Sequence, residues 1–373
     1  MSLKNEAQSA IHNTKSFYKE YVSGMNRERL GRELQADSKR LKELYKEATG
    51  ENEEEKLGRK LPIHLKILRL FSSLGQRLNP TRRLIFGVSI LGFIFYHFTS
   101  GVIADLLLPL SFAGLLMLLM VELLEKSDVK REIDLAREIQ LSLLPGSELK
   151  KKNLEINSFA NTASEVGGDY VDMIETTEGV YVIIADVSGK GLTAALYMVR
   201  MQALVHLLIE KSQPSPKQLF LELNNYVKSG SRDKTFVTAC AAFFPKNKEY
   251  FTVARAGHNS PIYFNKEKDS TFELRSEGFA LGMTTTDQMK EHLVEKKIRF
   301  EPGDSVLFYT DGLTEARNGL GEEYGVDRLN SIMDIYGSLH AKTIIRKVQS
   351  SLEAFIGQES PQDDVTFTCV HRP

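Results

Sequence analysis

The feature that most constrains this chain is a long stretch almost without charge. From Leu84 to Ala104 there is no Asp, Glu, Lys or Arg, and from Leu106 to Val121 there is none again, with Asp105 alone between them. A helix rises about 1.5 Å per residue, so crossing a hydrocarbon core of about 30 Å takes about 20 residues. Residues 84–124 therefore hold enough chain for two short spans and too much for one, and HFTSG at 97–101 has the polar and glycine content of a turn. Arg77, Arg82 and Arg83 precede the pair, Lys126, Lys130 and Arg131 follow it, and the turn has no Lys or Arg. That asymmetry predicts a transmembrane hairpin with both ends in the cytoplasm, multi-pass in the cytoplasmic membrane and in contact with membrane lipid. A helical hairpin buried in a soluble domain is the alternative, and Asp105 and Pro109 blur the span limits.

Residues 1–80 read as a charged, helical cytoplasmic region. Leu30, Leu34, Leu41 and Leu44 form a stripe that suits either a coiled coil or a solvated surface helix. Glu53, Glu54 and Glu55 mark a polar break, after which LPIHLKILRLFSSLGQRL is basic and partly apolar, as a helix lying along a membrane surface would be. The first residues, MSLKNEAQSA, carry no apolar signal-peptide core. Beyond the hairpin, residues 125–145 predict a linker helix: Val129, Ile133, Ala136 and Leu143 take heptad-like positions, Gln140 fills the remaining one, and Pro145 and Gly146 end it. Such a seam would make a homodimer or pack on the domain that follows.

That domain, residues 150–373, alternates strand-like runs with helical ones. The runs at 181–188, 235–244, 250–258, 260–265, 305–312 and 364–372 predict strands, and those at about 191–211, 215–229, 326–336 and 341–357 predict helices. Short polar links between consecutive strands favour antiparallel pairing, so the expected fold class is α+β, a four-layer αββα sandwich of two antiparallel sheets flanked by helices. Cys240 and Cys369 lie inside apolar runs and read as buried thiols, and without a CxxC spacing no structural zinc site is expected. With 48 basic and 49 acidic residues the chain has no overall field to attract nucleic acid.

The chemistry concentrates where strands meet carboxylates. IIADVSGKG at 183–191 ends an apolar run on Asp186 and continues with Gly189-Lys190, which resembles the close of a phosphate-binding P-loop. A P-loop needs Gly five positions before Gly189 and Ser or Thr after Lys190, and this chain has Ile184 and Gly191 there. Asp186 is instead one of a set: Asp169 follows two glycines in EVGGDYVD, Asp311 ends LFYTDG, and Asp363 and Asp364 open QDDVTF. Any one alone reads as a turn-forming Asp. If the strand ends meet at one edge, their carboxylates cannot all stay ionised without cations, and an all-oxygen donor set suits a pair of hard ions, Mg²⁺ or Mn²⁺. Two such ions lower the pKa of a shared water and hold phosphate oxygens, which is what hydrolysis of a phosphate monoester lacks in solution.

At these residues the chain resembles the metal-dependent Ser/Thr protein phosphatases, the PPM family, and within them the bacterial stage II sporulation E-like and RsbU-like branch. The motifs are AREIQLSLLP, SEVGGDYVD, IADVSGKGLTAAL, FVTACAAFF, RAGHNSPIY, LGM, PGDSVLFYTDGLTEARN and PQDDVTF, in that branch's order over about residues 130–373. The resemblance implies that Asp169 and Asp186 are metal ligands, with Asp186 bridging both ions, the Val187 carbonyl contributing, and Asp311 and Asp363 completing the set. Asp364 stands where many members have Asn, which leaves open which of Asp363 and Asp364 touches metal. On that footing Asp186 and Asp311 are the catalytic residues, and the phosphate-clamping arginine of the eukaryotic branch has no counterpart here. Lys190, His258 and Asn259 are candidate substrate contacts; His258 could act as general acid to the leaving serine oxygen, but a ring that holds a tight turn by hydrogen bonds is the favoured reading. Asp172 is either a supporting carboxylate or the polar start of a strand, and His206 is expected to pack in the core.

The resemblance implies a membrane-anchored protein phosphatase that removes phosphate from serine or threonine of a regulatory protein, a STAS-type anti-sigma antagonist in a partner-switching pathway. The linker helix would switch it by dimerising or rotating. A degenerate phosphatase fold serving as a signalling scaffold is the alternative, against which the intact aspartates speak.

Overall fold

The computed structural model describes residues 62–143, 146–230, 235–359 and 361–373, with positions 38, 42, 45 and 46. The stripe at Leu30, Leu34, Leu41 and Leu44, the break at Glu53, Glu54 and Glu55, and Pro145 lie outside the described residues. The chain divides into two compact units, Met1–Ser127 and Asp128–Pro373.

In the first unit, α1 (Ile63–Arg77) is amphipathic, α2 (Pro80–Tyr96) starts with proline in its first turn, and α3 (Val102–Leu143) begins beyond the 97–101 turn. Pro80 suits that position because its missing N–H would have no helical partner there. Helices α2 and α3 approach closely through small residues: a Cβ on Gly92 would collide with the Ser111 hydroxyl, and one on Gly114 with the Ser89 hydroxyl. Ser89 and Ser111 are buried, whereas Leu91, Phe95, Leu110, Phe112 and Met117 are exposed. Polar groups inside and apolar groups outside invert the pattern of a helix pair in water. Arg82 closes one end of the pair on Glu125 and, at 3.4 Å, on Glu122.

Among the described residues two helical segments are long and apolar enough to cross a membrane, Asp105–Leu143 and Leu192–Ser212. They differ in burial: 6% of the most apolar window of the first is covered, against 44% for the second. The second is a core helix of the C-terminal unit. Helix α2, at 17 residues, is short for a span.

The second unit holds two antiparallel sheets. One is ordered β1-β2-β11-β10-β7-β8, from β1 (Glu148–Lys151), β2 (Leu154–Asn161), β7 (Ile262–Asn265), β8 (Ser270–Glu273), β10 (Ser305–Tyr309) and β11 (Val365–His371). The other is ordered β3-β4-β5-β6-β9, from β3 (Asp169–Glu175), β4 (Gly179–Val187), β5 (Val237–Pro245), β6 (Tyr250–Ala256) and β9 (Glu295–Arg299). Helices α4 (Leu192–Ser212), α5 (Pro216–Gly230) and α6 (Thr286–His292) follow in chain order, then α7 (Asp311–Thr314), α8 (Val326–Tyr336) and α9 (Ala341–Ile356).

Strand alternation builds three apolar seams. On β4, Val182 and Ile184 face the other sheet and join Phe244, Phe251, Val306 and Phe308. Tyr181, Ile183 and Ala185 point the opposite way, onto Met198, Val205 and Leu208 of α4. On the far side, Leu307, Phe367 and Cys369 meet Leu329 and Met333 of α8 and Ile344 and Val348 of α9. The layers are helix, sheet, sheet, helix. Burial on both faces explains why β4 reads as a continuous apolar run. Cys240 and Cys369 are buried and free, and burial pushes the Cys240 thiol up to about 12.

Several local expectations are corrected. The run 305–312 stops as a strand at Tyr309, and Asp311 is the first residue of α7. His206 is not core: its ring is half exposed and its Nε2 lies 2.7 Å from Asp172. Asp172 is itself buried within β3, receiving the Tyr170 hydroxyl at 2.8 Å, so it neither opens a strand nor belongs to the edge where Asp169 stands.

Candidate metal centre

Antiparallel register brings the first two carboxylates together. Asp169 begins β3 and Asp186 lies near the end of β4, and they are direct partners across the pair. Directly opposed positions set Cβ atoms about 4.5–5.5 Å apart, where like charges destabilise a sheet. The second sheet delivers the others to the same end: α7 opens on Asp311, and Asp363 and Asp364 immediately precede β11. Gly312 makes this approach possible, since a Cβ there would collide with the Asp364 carbonyl.

Three of the carboxylates are anchored. Asp364 ties the sheets together, its two oxygens accepting the backbone N–H groups of Ala163 at 2.9 Å and Gly168 at 2.7 Å. Asp169 accepts the Thr310 hydroxyl at 2.9 Å. Asp363 lies 2.8 Å from Lys190 Nζ, which also donates to the Gln362 carbonyl at 3.1 Å. The Val187 carbonyl lies against Gly168. After Asp186, Gly189 and Gly191 take φ of 105° and 71°, a left-handed turn that glycine alone enters freely, leading into α4.

The electrostatics express the crowding. Burial raises the Asp169 carboxyl well above the usual range, with the charges of Asp186 and Asp364 adding to it and the Thr366 and Thr310 hydroxyls opposing. Burial, with Asp311, Asp363 and Asp364, pushes Asp186 up to about 7. Asp311 is raised by burial and by Asp363. A divalent cation relieves all of these at once, and the donors are oxygens only, so the chemistry fits Mg²⁺ or Mn²⁺. Among the described residues no three of these side chains yet converge on one point. Lys190 holds Asp363, and the backbone occupies Asp364.

His258 is buried in the turn after β6, its Nδ1 2.8 Å from the Thr238 hydroxyl, and Thr238 is the β5 partner of Asp186. Burial and the nearby Arg255 guanidinium lower its pKa to about 3, so the ring is neutral and holds the turn. Asn259 beside it is partly exposed. Sequence reasoning misses the Thr310 hydroxyl on Asp169 and reads Gln140 only as a heptad position. The Gln140 side chain is buried, donating to the Gly167 carbonyl at 2.6 Å and accepting the Gly167 N–H at 3.2 Å, two residues before Asp169. Gln202 of α4 also donates to the Leu143 carbonyl. A heptad position and a docking position look alike in a single sequence.

Residues 176–373 match the family described as Stage II sporulation protein E (SpoIIE). The chain belongs to the SpoIIE family. The chain is 28% identical over 232 residues to the phosphoserine phosphatase RsbU of Bacillus subtilis, covering 61% of this chain and 66% of that one. It thus spans just under two thirds of that relative's length. Among solved structures, the PP2C domain of SiaA from Pseudomonas aeruginosa superposes with a TM-score of 0.57 at 18% identity, covering 67% of this chain and 98% of that one. The RsbU and RsbW domains of a Mycobacterium tuberculosis protein give 0.51 at 21%, covering 59% and 60%. Both likenesses concern the fold.

The buried neutral imidazole has a consequence for pH. The folded pKa of His258 lies below the unfolded value near 6.5, so below that pH the unfolded chain binds a proton that the folded chain excludes. Stability falls as pH drops from about 6.5 toward 3, by at most about 1.4 kcal/mol per pH unit from this group. In urea unfolding of the SpoIIE-family domain, His258→Gln is expected to flatten the loss between about pH 6.5 and pH 4. An unchanged pH profile would place the ring in water.

Proposed function

We propose that this chain is a membrane-anchored, metal-dependent protein serine/threonine phosphatase. Its substrate is a phosphoserine or phosphothreonine on a regulatory protein, of the STAS type that antagonises an anti-sigma factor. The observation that carries this is the gathering of Asp169, Asp186, Asp311, Asp363 and Asp364 at one end of the sandwich, where burial and neighbouring carboxylates raise Asp169, Asp186 and Asp311. The relative named phosphoserine phosphatase RsbU supports the substrate class.

Asp169, Asp186, Asp311 and the Val187 carbonyl would hold two Mn²⁺ or Mg²⁺ ions, joined by Asp363 once Lys190 releases it. Such ions supply a water acidic enough to attack at neutral pH, and charge that steadies the phosphate oxygens. Asp186 would offer its carboxylate from the end of a doubly buried strand, where packing fixes its position. Asp364 keeps its backbone contacts and positions the loop before Asp169. Lys190, at the rim, is free to meet a substrate phosphate after leaving Asp363. Gln140 fixes the same loop from the linker helix, so a shift of residues 125–145 would reach Asp169 directly. The occupied state of Asp363 favours one other reading, a weakly active scaffold that binds its partner without turnover.

A phosphoserine protein incubated with the full chain and Mn²⁺ distinguishes them. Asp311→Asn is expected to lower turnover on the order of 10²-fold, and Gln140→Leu to lower it less, with the carboxylates intact. Phosphate release absent with every divalent ion, alongside tight partner binding in EDTA, would establish the scaffold.

The inverted polarity of α2 and α3, serine inside and leucine and phenylalanine outside, supports residues 84–124 as a two-span hairpin, followed by a linker at 125–145 and the phosphatase domain at 150–373. Both ends would face the cytoplasm, and the linker would pair two copies. The full chain is expected to stay with membranes through an alkaline wash and to sediment in detergent as a dimer. Release by the wash would refute the anchor, and a monomer would refute the pairing.

A further inference from the structure

The end of the sandwich remote from the carboxylates carries a second concave site. A cavity of about 280 Å³ opens there, floored by Leu154, Val180, Phe244 and Phe300 where the seam between the sheets runs out. Strand β3 measures the separation: Asp169 stands at its start and Glu175, on the cavity wall, at its end. Six steps of about 3.3 Å put the two sites roughly 20 Å apart, too far for one ligand to reach both.

The rim is strongly cationic. Lys151 and Arg372 are matched by Glu175 at 2.7 Å and Glu249 at 3.7 Å. Lys152, Lys246 and Lys248 also line the cavity, and among the described residues no ion pair engages them. Arg372 stiffens the rim by donating to the Lys248 carbonyl at 2.9 Å and the Phe300 carbonyl at 2.6 Å. Three unmatched ammonium groups around one opening, in a chain of net charge -1, form a local attractor for an anion. The floor is aromatic and aliphatic, which rewards burial of a flat apolar group. The volume falls just below the usual range of ligand cavities, about 300 to 1,000 Å³.

We propose that this cavity is a binding site for a small aromatic phosphate of mononucleotide size, its ring on Phe244 and Phe300 and its phosphate among Lys152, Lys246 and Lys248. The site is independent of the phosphatase reading and of metal.

Calorimetric titration of the detergent-solubilised full chain in metal-free buffer tests it, with AMP, UMP and phenyl phosphate as probes and inorganic phosphate and adenosine as separate arms. At least one ring phosphate is expected to bind one to one, about tenfold or more tighter than phosphate or adenosine alone. The combined variant Lys152→Gln, Lys246→Gln and Lys248→Gln is expected to weaken it by about tenfold. These side chains are exposed, and an unchanged melting temperature verifies that the variant folds. Lys190→Gln, at the opposite end, is expected to leave the affinity unchanged. The proposal is overturned if no ring phosphate binds at millimolar concentration or if phosphate alone binds as tightly. It is overturned equally if the triple variant binds like the parent or if Lys190→Gln removes the binding.

Discussion

Asp169 and Asp186 oppose each other across the β3–β4 pair, and two carboxylates in that register repel. The arrangement persists because β4 is buried on both faces, against Phe308 and Val306 on one side and α4 on the other, so the strand cannot slip to relieve the charge. A slip of one residue would turn Ile183 and Ala185 toward the wrong seam. The packing energy of the two seams therefore holds an electrostatically unfavourable edge in place. The second sheet adds to it: Asp311 and Asp363 arrive there because Thr310 and Asp364 bond across to β3 and the loop before it. On the proposed reading, divalent cations would complete such a site.

Much of this was legible in the sequence. The apolar runs ending on Asp186 and before Asp311 located the central strands, since burial on both faces leaves an uninterrupted hydrophobic signature. Strands β1, β2, β3, β8 and β9 were missed: ELKK, STFE and EKKIR show no apolar run, and polar residues interrupt those of LEINSFAN and DYVDMIE. Asp311 appeared to end a strand, but its backbone turns into α7, a change of direction that a four-residue helix does not announce. His206 sits among apolar neighbours in sequence, yet it falls half exposed at the margin of α4, over edge strand β3, and meets Asp172 there. Gln140 fitted a heptad and proved to grip Gly167; only the fold reveals which partner a helix face finds.

The two ends of the sandwich differ in sign. Carboxylates collect where β3 begins and β4 ends, and lysines collect where β3 ends and β4 begins. The first end gathers charge that repels itself and calls for metal, the second gathers charge that calls for an anion. Between them lies a dry seam of Ile184, Phe244, Phe251 and Phe308. The N-terminal unit follows another rule, in which Ser89, Gly92, Ser111 and Gly114 let two helices meet closely while their large apolar side chains face outward.

The central claim is that repulsion at the carboxylate edge is relieved by divalent cations, and melting of the SpoIIE-family domain with and without Mn²⁺ tests it most directly. Mn²⁺ is expected to raise the melting temperature of the parent chain through binding to the folded state alone. Asp186→Asn, which removes the shared charge, is expected to melt higher than the parent without metal and to respond less to Mn²⁺. A parent chain whose melting temperature ignores Mn²⁺, or an Asp186→Asn variant that responds as fully as the parent, would contradict the account.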